Sequence, residues 1–229
     1  MLLRAMGSLT VLGQYFVLAF SALFPVVNPF GSALILLGIV GSAPVAMYRE
    51  LARKIAIRTV LLFVVVELVG ATLLHFFGIS LPVVQVAGGL VLAAMGWRLL
   101  NRQGPDTDHG QAAVAATNLE SLHEKVFYPF TFPVTVGPGC IVVMLTLSAH
   151  ASVRNVTDDV MAHLGILAAV IALSVSVYFS YAYAPKITER VPPQTAQGIL
   201  RVVAFVLLCI GVQITSNGVG AILKTALKP

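Results

Sequence analysis

The chain has 229 residues, of which 58% are hydrophobic and 10% charged, and its mean hydropathy is +0.94. This balance excludes an ordinary soluble domain, in which about 25% of residues are charged. We therefore expect a membrane protein, and we interpret its net charge of +5 as an excess of basic residues in cytoplasmic loops.

Six apolar segments are long enough to cross a bilayer as helices, which takes about 20 residues. They cover residues 9–40, 57–77, 81–100, 126–147, 160–183 and 199–223. Arg4 and the small residues 19–22 resemble parts of a signal peptide, but the apolar run continues beyond them, so a retained first helix is expected. The sequence predicts an all-α integral membrane protein with six transmembrane helices.

Basic residues are concentrated in every second connection. Ten of the 14 Lys and Arg residues flank the odd-numbered connections: Arg49, Arg53, Lys54, Arg58, Arg98, Arg102, Lys125, Lys186, Arg190 and Arg201. Cytoplasmic loops carry such an excess, so both termini are predicted to lie outside. A nucleic-acid partner is not expected, because no soluble face offers a basic patch.

The first apolar segment contains the text FPVVNPFG at residues 24–31, called here the first break. The ring of Pro25 disfavours helical dihedrals at Phe24, so the helix is expected to stop about there. Asn28 suits an N-cap, and Pro29 suits the first position of a helix, where the missing N–H would have no partner anyway. This pattern predicts that one helix ends, a short linker follows and a second helix begins.

The fourth segment carries nearly the same text, FPVTVGPG, at residues 132–139, called here the second break. Pro133 is expected to stop one helix, Gly137 to cap the next and Pro138 to occupy its first position. An offset of 108 positions pairs Gly31 with Gly139. The two breaks therefore indicate an internal repeat.

A weaker similarity links the third and sixth segments, where GLVLAAMG (89–96) resembles FVLLCIG (205–211). Residues 1–100 and 126–229 are then two halves of three spans each, joined by a cytoplasmic connector at residues 101–125. An odd number of spans per half inverts the second half across the membrane. The predicted fold is a 3+3 inverted repeat whose first and fourth helices are broken at the midplane, as is typical of many secondary transporters.

A break inside a membrane leaves backbone N–H and C=O groups without helical partners, which is tolerated only beside protein or a wet cavity. The N-termini of the restarted helices suit a carboxylate, and free carbonyl groups suit an ammonium group or a cation. A zwitterion of amino-acid size fits this polarity. The alternative is that both breaks are only kinks. The predicted substrate-binding residues are Asn28, Pro29, Gly31, Ser32, Thr135, Gly137, Pro138 and Gly139.

Other polar side chains lie inside the apolar segments. Glu67 is an ionisable group that could carry a proton or hold a cation or a substrate ammonium group. The alternative is a protonated, hydrogen-bonded packing residue. Gln85, Gln213 and Asn217 are candidates either for lining a cavity or for hydrogen bonds between helices.

Small residues four positions apart predict close packing between helices. Two such pairs are Gly89 with Ala93 and Gly211 with Thr215.

No pattern indicates an enzyme, a cofactor or a metal site. The sequence has no HExxH or GxSxG motif and no phosphate-binding loop. The histidines lack ligand spacing and are interpreted as exposed or interfacial: His75, His109, His123, His150 and His163. Cys140 and Cys209 lie in apolar segments and suggest no disulfide framework.

Three pieces of text together resemble the MarC family of bacterial integral membrane proteins: NPFG in the first break, GPG in the second, and GISLPVVQVAGGLVLAAMG at 78–96. The resemblance covers nearly the whole chain. It implies a six-span protein of the bacterial inner membrane, related to LysE-type exporters and to proteins linked to transport of small neutral amino acids. Leu34 and Gln85 depart from the family's usual proline and basic residue, so substrate identity is not carried over.

These observations predict a secondary transporter, an exporter or exchanger, for small neutral amino acids or similar small polar solutes. Alternating access between the two halves is the expected mechanism. The alternative is a passive channel, which would show flux without exchange, or a drug-efflux protein, which would favour bulky amphiphiles. The expected partners are a small-molecule substrate and the lipid bilayer, and a homo-oligomer is left open.

Overall fold

In the computed structural model the chain folds into helices. The structure describes residues 2–41, 43–101, 124–151 and 156–227, so most of the predicted connector at 101–125 lies outside the described residues. The elements are α1 (Leu2–Val27), α2 (Pro29–Val40), α3 (Val45–Phe76), α4 (Leu81–Leu100), α5 (Val126–Thr135), α6 (Pro138–Ala151), α7 (Val156–Ala182), α8 (Ala184–Arg190) and α9 (Pro193–Ala226). The predicted all-α class is confirmed over these ranges.

Most of these helices are apolar and long enough to cross a membrane. α1 and α2 together supply one span, Ser8–Val40, and α3, α4, α7 and α9 each supply another. α5 and α6 are long and apolar enough to cross a membrane when taken together, as a pair that is bent by 66° at its junction. The described chain thus has five spans, or six with the bent pair, in agreement with the six predicted segments. The depth of the breaks and the inverted repeat stay predictions.

Asn28 interrupts the first span between α1 and α2. Its backbone is left-handed, with φ 45° and ψ 65°, a region that Asn tolerates better than most residues. Its Oδ1 accepts a hydrogen bond from Gly31 N at 3.1 Å, and α2 begins at Pro29. The predicted N-cap and the predicted first helical residue are therefore confirmed.

The predicted stop near Phe24 is wrong, because α1 continues through Pro25 to Val27. The missing N–H of Pro25 removes one hydrogen bond to the preceding turn of α1, but the helix continues for two further residues. A hydrogen bond of 2.9 Å from Asn28 N to Phe24 O then closes that turn.

The second break has a different local structure. α5 is a wide, π-type helix that contains Pro133, and Phe132 before it is extended, with φ −123° and ψ 128°, as a following proline favours. The helical backbone is thus interrupted directly before Pro133, as predicted, and a short segment continues beyond this kink to Thr135. α6 begins at Pro138, directly after Gly137, as predicted.

Contacts between helices fix which of their ends lie together. Tyr15, in the middle of α1, donates a hydrogen bond to the carbonyl oxygen of His150 at the end of α6. Gly165, in the first half of α7, packs against Leu12 and Phe16 around the middle of α1. His150, Leu81 at the start of α4 and Ala221 near the end of α9 border one cavity. We call this end of the bundle the His150 end.

Glycines bring α4 and α9 into backbone contact. A Cβ atom added at Gly211 would lie 2.7 Å from Gly89 O and 2.8 Å from Ala93 Cα. A Cβ atom added at Gly89 would lie 2.6 Å from Thr215 N. The interpretation of these small residues as helix-packing positions is confirmed.

Enlarging a residue in this glycine contact should destabilise the fold. Gly211→Val places a side chain where the α4 backbone already lies, so the free energy of unfolding should fall by about 1–3 kcal/mol, as for other overpacked positions. Gly220→Val is the matched control in α9, because a Cβ atom there meets no atom within 4 Å. Unfolding in detergent measures both variants. Equal stabilities of the two variants would contradict the close packing.

Candidate functional site

The two breaks lie against each other, although 102 residues separate the atoms that join them. Ser32 Oγ, in the first turn of α2, lies 3.1 Å from Val134 O in α5 and 3.0 Å from Val27 O at the end of α1. Its one hydroxyl hydrogen is donated to either carbonyl oxygen or shared between them. Because Ser32 is buried, this side chain connects the two breaks inside the bundle.

A second pair of hydroxyl groups extends this contact to α7. Thr135 Oγ1 donates to Phe130 O at 2.6 Å and lies 2.7 Å from Tyr181 Oη. Since the Thr135 hydrogen is used by Phe130 O, Tyr181 is the donor in the second bond. Ser32 also lies close enough to interact with the Tyr181 hydroxyl group. Ser32, Thr135 and Tyr181 are all buried, and we call them the hydroxyl cluster.

The two breaks also share a local bonding pattern. Directly after the first break, Ser32 Oγ donates to Val27 O, five residues earlier in the chain. Directly after the second, Cys140 Sγ donates to Thr135 O, again five residues earlier, at 4.0 Å. Both partners in the second pair stand 108 positions after those in the first. This is the offset that aligns the two texts in the sequence.

The other predicted site residues differ in burial and contacts. Asn28 is half-buried, and its side chain accepts the hydrogen bond of Gly31 N at the start of α2. Pro29 and Gly137 are buried, and Pro138 is exposed. A substrate carboxylate that binds the N-terminus of α2 would have to displace the Asn28 side chain.

Gly139 contacts α4 rather than open space. The position that a Cβ atom on Gly139 would take is already occupied by the side chain of Leu92. A larger residue at this position would therefore disturb the packing of α4 on α6, whatever its effect on a ligand.

A cavity of about 500 Å³ opens at the His150 end between α4, α6 and α9, within the size range of small-molecule sites. It is lined by Leu81, Pro82, Gln85, Ala149, His150, Asn217 and Ala221. Gln213 Nε2 donates a hydrogen bond of 2.9 Å to Asn217 Oδ1 one turn along α9. Of the three predicted cavity residues, Gln85 and Asn217 line this cavity, and Gln213 contacts it through Asn217.

Packing between α4 and α6 separates the cavity from the second break. Gln85 borders the cavity. One turn further along α4, the side chain of Val142 occupies the space beside Gly88. Leu92, another turn along, fills the space beside Gly139. Spacings of three and four residues put these α4 positions on one face, so two contacts that depend on glycine close the path.

Glu67 of α3 pairs with His163 of α7, and its Oε1 lies 2.5 Å from His163 Nδ1. His163 is partly exposed, as interpreted from the sequence, but the packing of α3 on α7 also brings it against this carboxyl group. No local pattern indicates the pair, since 96 residues separate its members.

The apolar helices and the bent pair define a multi-pass integral membrane protein. The model of the MarC family of integral membrane proteins matches residues 13–223, and the chain belongs to this family. A UPF0056 membrane protein of Methanocaldococcus jannaschii is 29% identical over 211 residues, which cover 92% of this chain and 98% of the relative. The UPF0056 inner membrane protein MarC of Citrobacter koseri is 30% identical over 207 residues, covering 89% and 93%. No solved structure matches the chain significantly.

Two substitutions of Asn28 separate its backbone role from its capping role. Asn28→Ala loses the cap and forces a poorly tolerated residue into the left-handed region, so it should cost about 2 kcal/mol of unfolding free energy. Asn28→Gly adopts that backbone readily and should cost only about a few tenths of a kcal/mol. Chemical unfolding in detergent measures both, and equal losses would rule out the left-handed cap.

Proposed function

We propose that the protein is a secondary transporter of small neutral amino acids or similar small polar solutes in the bacterial inner membrane. The observation that carries this proposal is the contact between the two breaks at Ser32 and Val134. Interrupted helices that meet inside a membrane bundle offer hydroxyl and backbone groups to a polar solute, as in inverted-repeat transporters. The proposal involves no chemical reaction, cofactor or metal.

The packing of the spans supports the inverted repeat. We count α1–α2 as the first span and α5–α6 as the fourth. An inverted repeat makes the first, second and third spans equivalent to the fourth, fifth and sixth. Each large interface between spans should then have an equivalent interface. The interface between the first and fifth spans has its equivalent in the interface between the fourth and second spans. The interfaces of the second span with the fifth, and of the third with the sixth, are each equivalent to themselves. The shared bonding pattern of Ser32 and Cys140 agrees with this equivalence.

The chemistry of the breaks favours a solute without net charge. Residues 24–31 and 132–139 contain no ionisable side chain, and the hydroxyl cluster supplies neutral donors and acceptors. A net charge brought into this interior would lack a counter-ion and would be strongly unfavourable. A zwitterion can place its carboxylate at a helix N-terminus and its ammonium group at carbonyl oxygens. Small neutral amino acids are therefore the first candidates.

The cavity and the packed α4–α6 contact suggest how access would alternate. Gln85 and Asn217 line an opening at the His150 end, while Val142 and Leu92 close the path to the breaks. Separation of α4 from α6 would connect the cavity with the hydroxyl cluster. The glycine contact between α4 and α9 favours movement of these two helices as one unit.

The distribution of basic residues supports an orientation with the His150 end and both termini in the periplasm. At the opposite end, the Arg49 guanidinium lies 5.5 Å from the centre of the Tyr183 ring. Arg53 follows in α3, and Lys186 lies in the short α8 after Tyr183. Cytoplasmic ends of spans carry such an excess of positive charge.

Counterflow in proteoliposomes tests the proposed function. Vesicles preloaded with unlabelled alanine, glycine or serine should take up the labelled solute transiently above its equilibrium level, because a carrier exchanges one molecule for another. Ser32→Ala and Thr135→Val remove one hydroxyl group each. Each should lower initial uptake about tenfold, which corresponds to about 1.4 kcal/mol for a buried partner left unpaired.

Ser176→Ala is the matched control, because the Ser176 hydroxyl group donates to Ala172 O within α7. It should retain counterflow. Uptake without overshoot in folded protein would indicate a channel, and transport of bulky amphiphiles in place of amino acids would indicate drug efflux. Overshoot that survives in both hydroxyl variants would move the site away from the breaks.

A further inference from the structure

Glu67 places a carboxyl group inside the bundle. Its side chain is 3% exposed, and Oε1 lies 2.5 Å from His163 Nδ1. The second oxygen, Oε2, is buried and has no hydrogen-bond partner among the residues that the structure describes. An ionisable side chain in such a place is costly and is typical of proton or ion pathways.

The partner of Glu67 connects it with the end of the bundle. The His163 side chain is 30% exposed, and its Nε2 lies 3.9 Å from Asp159 Oδ2. Asp159 is in the first turn of α7, and its side chain is 35% exposed. The gap is longer than a direct hydrogen bond, and one bridging water or a small side-chain rotation spans it. The three groups thus lead from the surface to the interior.

We propose that the Glu67–His163 pair holds one exchangeable proton that couples solute transport to the proton gradient, with Asp159 delivering the proton from solution. The inference rests on the proposed transporter function. A proton accepted at His163 Nε2 allows the imidazole to release the proton on Nδ1 to Glu67 Oε1. The ring gains one proton and loses one, so no other reactant is required.

The position of the pair explains how a proton would act on the transport cycle. α3 belongs to the first predicted half of the chain and α7 to the second. With one proton the pair is neutral overall, whether as two neutral groups or as an ion pair. Loss of that proton, or gain of another, leaves a net charge buried between the halves, which is unfavourable at low dielectric. Protonation therefore changes the free energy of the interface that alternating access must rearrange.

Neighbouring titratable groups are engaged elsewhere. From α1, Tyr15 donates to the carbonyl oxygen of His150, and from α6, His150 Nδ1 lies 2.6 Å from Thr146 O. Ser148 of α6 lies beside the Glu67 carboxyl group without hydrogen-bonding Oε2.

The remaining titratable groups near the pair lie on its own helices or at the other end. His75 follows two turns later on α3, and Asp158 precedes Asp159 on α7. α8 follows the far end of α7, α2 has no ionisable side chain, and Tyr128 of α5 is exposed. Within the part of the chain that the structure describes, His163 is accordingly the basic group that faces Glu67.

Glu67→Gln tests the coupling, because the amide keeps the size and hydrogen-bonding capacity of the side chain but has no acid proton. Labelled alanine is the probe in proteoliposomes with an imposed pH gradient. The unmodified protein should accumulate alanine against its own gradient. The variant should lose this accumulation and retain counterflow, since exchange requires no net proton movement. Accumulation equal to that of the unmodified protein would overturn the proposal.

Glu50→Gln is the matched control on α3, because Glu50 forms a surface ion pair of 2.9 Å with Lys54. It should retain both accumulation and counterflow. A merely structural hydrogen bond between α3 and α7 predicts another outcome for Glu67→Gln. The variant would then lose both activities together with thermal stability, or lose neither, and either result contradicts proton coupling.

Infrared difference spectroscopy tests the proton site without any transported solute. The reconstituted protein should show the C=O band of a protonated carboxylic acid whose amplitude changes between mildly acidic and mildly alkaline buffer. The band should persist in Glu50→Gln and vanish in Glu67→Gln, and His163→Gln should shift its titration. A band that is insensitive to pH, or that survives in Glu67→Gln, refutes the proton site. Failure of counterflow with every solute would reject the transporter and the coupling, while the infrared result still decides the site.

Discussion

The fold depends on one constraint: backbone groups released by an interrupted helix cannot face lipid and must find partners within the protein. Ser32 contributes to this at both breaks, because its one hydroxyl hydrogen is donated to Val27 O in one or Val134 O in the other, or is shared between them. A hydrogen bond between Thr135 and Tyr181 connects the second break with α7 in the same way. The spans must therefore pack so that two distant parts of the chain meet, and the glycine contacts of α4 allow the approach.

Neutral and ionisable polar groups occupy different interfaces. The hydroxyl cluster lies where the first and fourth spans meet, and it supplies only neutral groups. Glu67 and His163 lie between α3 and α7, nearer the His150 end. Both sites lie between the two predicted halves, so a rearrangement of the halves would alter both at once. A solute and a proton could then influence the same conformational equilibrium without touching each other.

Signals that act over a few residues were predictable from the sequence, and contacts between distant residues were not. Asn28 and Pro29 were correctly assigned because capping depends on adjacent residues. The interruption at Pro133 was also placed correctly, whereas the stop at Phe24 was misplaced because α1 continues through Pro25 to Val27.

Two features of the site had no local signal. The pairing of His163 with Glu67 and the packing of Gly139 against Leu92 are tertiary contacts, each set by how one helix packs on another. Apolar periodicity carries little information about such contacts in a membrane, because lipid-facing and buried positions are equally hydrophobic.

The two breaks differ in shape. α1 and α2 continue as one span across Asn28, whereas α5 and α6 are bent by 66°. Under the proposed inverted repeat, the two halves can take these shapes the other way round, with the bend at Asn28 and the second break straightened. After that exchange each half has the shape that the other half had before, and the cavity opens at the opposite end of the bundle. The asymmetry of one conformation would then specify the geometry of the other.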